Sequence, residues 1–172
     1  MKTSSNKTKF AALTAILFML GGATSYAKTL GDTLRESKWD GIIGTWVDPE
    51  TKGQNKKVAY AWKVKGHAIL ATGTAFGTNS VAIMGRNAKD ATVFHVGADD
   101  KGTSVLGKWT FKDGEAILEL GFVTGDGVEG VMQIRYTKKD ENTLIVNVEG
   151  LGPQPIVYTM VKVKTVTKAR GE

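Results

Sequence analysis

The stretch TSVLGKWTFKDGEAILELGFV, residues 103–123, has one self-consistent way to fold back on itself. Asp113-Gly114 between two alternating segments is the strongest short-range signal for a two-residue β-hairpin turn. Such a turn sets Lys112 against Glu115, Phe111 against Ala116, Trp109 against Leu118, Gly107 against Leu120 and Val105 against Phe122. One face is then wholly apolar, and the other opposes Lys108 to Glu119. Register follows from this matching, because a slip of one residue would turn every apolar side chain to the wrong face.

The same test extends outward along the chain. Segments Lys57–Val64 and His67–Gly73, joined at Lys65-Gly66, pair Trp62 with Ile69 and Tyr60 with Ala71, with Val58, Tyr60, Trp62, Val64 and Ile69 on one face. Val128–Thr137 and Thr143–Glu149, around a loop of Lys139-Asp140-Glu141, pair Tyr136 with Leu144, Ile134 with Val146 and Met132 with Val148, leaving Gln133 and Asn147 outside. Ser80–Arg86, Thr92–Gly97, a final Ile156–Lys164 and a strand at Trp46 bring the candidates to ten. Nothing between neighbours is long enough for a parallel crossover, so the strands form a meander. The expected fold class is all-β: an antiparallel up-and-down β-barrel of eight to ten strands over residues 42–164, closure removing the edges that invite aggregation. A two-sheet sandwich is the alternative.

Residues 1–27 read as a different object. Lys2, Lys7 and Lys9 precede an apolar run from Phe10 to Leu20, and Ser25-Tyr26-Ala27 places small residues where a signal peptidase cuts. The segment is predicted to be a secretory signal peptide cleaved after Ala27, its apolar run being shorter than the ~20 residues of a membrane span. Export to the periplasm or exterior follows, without stable membrane insertion after cleavage. This segment holds three of the 23 basic residues and none of the 17 acidic ones, so its removal lowers the net charge from +6 to +3. With the remaining lysines dispersed over turns, nucleic acid is not an expected partner. Cysteine is absent, so stability must come from the core. Residues 28–41 form a lead-in in which Leu30 and Leu34, one helical turn apart, predict a short helix. The tail 165–172 is expected to be flexible.

Gly44-Thr45-Trp46, Tyr60-Ala61-Trp62-Lys63-Val64-Lys65-Gly66, Gly107-Lys108-Trp109 and Tyr158-Thr159-Met160-Val161-Lys162 together resemble exported bacterial lipocalin-like, or calycin-type, barrels. The resemblance covers most of the chain after the signal. It implies that Trp46 lies across the floor of a barrel whose apolar interior takes a small hydrophobic ligand. It also implies a basic residue of the last strand over that Trp. The candidates are Lys162 or Lys164 where true lipocalins carry Arg. Ten strands would fit fatty-acid-binding or nitrobindin-like barrels better than eight-stranded lipocalins. The nitrobindin comparison requires a haem-ligating His, and neither His of this chain stands in a matching motif.

The candidate ligand-binding residues are Tyr60, Trp62, Met84, Trp109, Phe111, Phe122, Met132 and Tyr136, with Met160 beside them. Rings and thioethers on one inner face suit an apolar pocket. They can equally fill a small barrel solidly, and the sequence leaves the two open. His95, out of phase with Phe94, is expected on the polar face, and His67 at a rim. Arg86, Glu129 and Arg135 are expected to point outward; an inward Arg135 would instead anchor a carboxylate. Two histidines and dispersed carboxylates give no metal-ligand spacing, no cofactor is indicated, and no catalytic constellation emerges. The Gly125-Asp126-Gly127-Val128-Glu129-Gly130 match to a dinucleotide motif lacks the helix that must follow it. Three functions fit: a carrier of a small hydrophobic molecule, an isomerase- or cyclase-type enzyme on the same scaffold, or a solid interaction module.

Overall fold

The computed structural model describes residues 27–75, 77–112 and 114–164; the expected signal segment through Tyr26 and the tail 165–172 lie outside the described residues. A helix α1 (Leu30–Glu36) and a single 3-10 turn (Asp40–Ile42) precede ten strands. These are β1 (Gly44–Val47), β2 (Lys56–Val64), β3 (Ala68–Ala75), β4 (Thr78–Arg86), β5 (Val93–Asp99), β6 (Ser104–Lys112), β7 (Glu115–Val123), β8 (Glu129–Asp140), β9 (Thr143–Glu149) and β10 (Ile156–Lys162). Each strand pairs antiparallel with its sequence neighbours, and β1 closes the ring against β10. The fold is therefore the up-and-down barrel, not the sandwich.

Two of the three hairpins have the register that apolar matching requires. Phe111 faces Ala116, Trp109 faces Leu118 and Val105 faces Phe122, while Lys108 and Glu119 form an outer ion pair at 3.0 Å. Trp62 faces Ile69 and Tyr60 faces Ala71. The third hairpin differs. β8 runs on to Asp140, so Tyr136 pairs with Val146 and Ile134 with Val148, two residues away from expectation, with an irregularity between Lys138 and Asp140. Because side chains alternate with period two, a shift of two leaves every residue on its expected face. Val64 does leave its row: the β2–β3 register shifts after Trp62, and its side chain is 54% exposed.

One end of the barrel is closed by the lead-in. α1 starts in a capping box, the Thr29 hydroxyl accepting from the Asp32 N–H while the Asp32 carboxylate accepts from the Thr29 N–H. Its apolar side, Leu30 and Leu34, joins Trp39 and Ile42 with no more than 1% exposure each. At about 1.5–3 kcal/mol for each fully buried large apolar side chain, this cap contributes as a core element. Polar ties hold it down: Gly31 N–H donates to the Gly66 carbonyl at 2.8 Å, Arg86 Nη1 to the Lys28 carbonyl at 2.6 Å, and Lys138 Nζ to the Lys38 carbonyl. Arg86 thus serves the cap and does not stand in an outward row, because it shares the inward phase of Met84 at the strand's last residue.

Candidate functional site

The closed half of the barrel is packed with rings. From the cap inward, Trp39 lies 6.4 Å from Phe111 between ring centres, Phe111 stacks nearly parallel on Trp109 at 5.8 Å, and Trp109 meets Tyr136 at 5.5 Å. The Tyr60 hydroxyl then donates to the Tyr136 hydroxyl at 3.4 Å, from a strand on another side of the ring. Trp46 seals the same end. Its indole N–H donates to the Ile42 carbonyl at 2.8 Å, and the Lys162 ammonium, 5.5 Å from the ring centre, donates to the Gly41 carbonyl at 2.7 Å. Gly44 lets that lysine pass: its φ is +132°, and a Cβ there would lie 2.8 Å from Lys162 Cε.

Above the ring column the barrel is hollow. A cavity of about 470 Å³ begins at Tyr60, Tyr136 and His95 and runs to the end opposite the cap, where Ala75, Thr78, Asp99, Lys101, Thr103 and Leu151 form its mouth. Its walls are mainly apolar, among them Val58, Ala71, Ala82, Val105, Leu118 and Ile134. Small residues on β3 and β4 leave the space that larger side chains would take. Tyr136 lies deep in the barrel yet keeps accessible surface, which faces this cavity.

Of the eight sequence-nominated side chains, Tyr60, Met132 and Tyr136 line the cavity. Trp109, Phe111 and Met84 belong to the packed half instead: Met84 is fully buried, and the two rings form the column. Trp62 also packs on the core, on a part of β2 beyond its pairing with β1, whose first residue faces Tyr60. Phe122 keeps the inward phase, but its ring spreads over its partner Gly130, where a Cβ would meet it at 2.3 Å.

His95 is the residue that sequence reasoning misplaced. It is buried at 8% exposure on the inner face, in phase with Val93, and Trp109 Nε1 donates to its Nδ1 at 3.3 Å. Phe94 lies outside, its ring over Gly85, and no local signal separated the two phases, both of them apolar over residues 93–96. Burial pushes the His95 pKa down to about 4, so its imidazole is neutral at ordinary pH. Burial likewise raises the phenols, Tyr60 to about 12 and Tyr136 further, so both stay protonated. Arg135 points outward to Glu115 at 2.9 Å and brings no charge to the interior. His67 is exposed beside the β2–β3 turn. Among the described residues no three His, Asp or Glu side chains cluster closely enough to hold a metal.

A second concavity of about 590 Å³ lies on the outer wall, where Gly121 forms a floor between Leu106 and Val131. Those flanking side chains are 67% and 76% exposed. The groove is a gap in an outward row and does not surround a molecule as the interior does. Comparison of the sequence with protein-family models matches none of them. No curated protein matches it either.

Proposed function

We propose that this chain is an exported, lipocalin-like barrel that binds or carries a small hydrophobic molecule in its hollow half. The observation that carries this reading is the half-filled interior: rings occupy the closed end, and an apolar cavity of about 470 Å³ takes up the rest. That size falls within the roughly 300–1,000 Å³ of small-molecule pockets. The lipocalin-like label is supported by Trp46 across the closed end with Lys162 over its indole, and export by the basic and apolar pattern of residues 2–27. Carriage is favoured over the enzyme reading because burial moves the polar groups at the cavity floor away from the near-neutral pKa that suits an acid or base catalyst, His95 down to about 4 and Tyr60 and Tyr136 upward. A solid interaction module would have no use for the void. Native mass spectrometry of protein recovered from its source tests the proposal. An adduct lost on denaturation is expected, and a clean apo mass together with no affinity for any apolar probe would overturn it.

A further inference from the structure

The hydrogen-bonding capacity of the cavity floor can be followed atom by atom. An indole N–H only donates, so the nitrogen it meets on His95, Nδ1, must present a lone pair. The proton of the neutral ring is therefore on Nε2, which has no protein partner among the described residues. Across the inner face His95 sits between Met84 and Gly107, a thioether on one side and no side chain on the other. With Tyr60 as donor to Tyr136, the Tyr136 hydrogen is likewise left over. Two donors thus lie at the floor of one mainly apolar cavity; the hydroxyls of Thr78, Ser80 and Thr103 stand toward its mouth, as do Asp99 and Lys101, the only charged side chains on its wall among the described residues.

We infer that the ligand carries an uncharged hydrogen-bond acceptor, such as a ketone, ester or amide carbonyl, received at the cavity floor by His95 Nε2–H with the Tyr136 hydroxyl beside it. This rests on the hydrophobic-ligand reading above. Trp109 acts as a positioning residue: it fixes the tautomer and aims the free edge of the imidazole. Donors without a partner favour a molecule that supplies an acceptor over one that supplies only hydrocarbon. A carboxylate is disfavoured for the opposite reason, since it would enter an apolar space with no cation at the floor to offset its lost hydration. The low His95 pKa supports the same state, an imidazole that donates without carrying charge.

Three probes of equal chain length separate the possibilities: methyl hexyl ketone, octane and octanoic acid, each competed at neutral pH against the neutral fluorophore N-phenylnaphthylamine. Measured against their own transfer from water to hydrocarbon, the ketone is expected to bind about tenfold more favourably than octane, the equivalent of about one hydrogen bond, and octanoate to bind more weakly than the ketone. His95→Phe should erase that preference, and His95→Gln, whose amide can accept from Trp109 and donate to the ligand, should restore part of it. A readout independent of any variant is the nitrogen NMR spectrum of wild-type His95. It should show the Nε2–H tautomer and an Nε2 resonance that moves with ketone and not with octane. A ketone that gains nothing over octane on that scale, or tighter binding of octanoate than of ketone, overturns the inference and leaves the cavity proposal standing. Failure of every probe, with the fold intact, overturns both.

Discussion

Tyr60 and Tyr136 meet across the barrel with their hydroxyl oxygens 3.4 Å apart, although three other strands separate β2 from β8 around the ring. This contact marks the level at which solid packing stops: the ring column lies beneath it and the cavity above. A wall-to-wall bridge at that height ties opposite sides of the ring together where no backbone pairing can.

The bridge should appear as coupling between the two phenols. At 3.4 Å it is long against the usual ~2.7–2.8 Å of O–H···O bonds, so its worth lies at the lower end of the range. Tyr60→Phe and Tyr136→Phe should each cost about 0.5 kcal/mol in denaturant unfolding. The double variant should cost less than the sum, because the second change removes a group already unpaired. Strict additivity would show that the two hydroxyls do not interact.

Gly44→Ala should destabilise the closed end. The substitution forces a side chain into positive φ, at about 1–2 kcal/mol, and displaces Lys162 from its place over Trp46. A lower unfolding midpoint with altered Trp fluorescence is expected. Wild-type stability would contradict the packing of lysine on indole described above.

The cap should behave as part of the core. Leu34 is fully buried, so Leu34→Ala is expected to cost about 2–5 kcal/mol in chemical denaturation. A loss below about 0.5 kcal/mol, the range of surface substitutions, would mean that α1 does not seal the barrel.

Stability should depend on pH through His95. Its pKa is about 4 in the folded chain against an ordinary 6.5, so between those values the unfolded chain holds a proton that the native imidazole lacks. Unfolding then takes up a proton, and stability falls as pH drops through that window, by on the order of 3 kcal/mol in full. Asp32, Asp48, Asp90, Asp99, Asp126 and Asp140 have pKa values below the ordinary 3.8, so their contribution is lost at still lower pH and is separable. Urea titrations at stepped pH should show the His95 segment in the wild type and its absence in His95→Phe.

Most of the barrel was legible because strands with one buried face announce themselves by alternation. Phe111 against Ala116 and Tyr60 against Ala71 follow from matching apolar residues across turns. Where both phases were apolar, alternation gave no answer: Val93-Phe94-His95-Val96 can face either way, and a glycine opposite a ring does not decide it, since Phe94 covers Gly85 outside and Phe122 covers Gly130 inside. The β8–β9 turn was misjudged because polar residues at 138–142 suit either a loop or a strand end. The division of the interior was beyond one-dimensional reading. Trp109 and Met132 share an inward phase, yet one packs in the column and the other lines the cavity, since height along the barrel depends on how all ten strands stagger.

The central claim, a ligand-sized void above a packed floor, is tested most directly by titrating N-phenylnaphthylamine into the wild type and into Ala82→Phe, whose new ring would occupy the space beside the cavity wall. Saturable one-to-one binding by the wild type is predicted, with affinity at least about tenfold weaker in the variant and near-ultraviolet circular dichroism unchanged. Equal binding by both proteins, or none by the folded wild type, would contradict it.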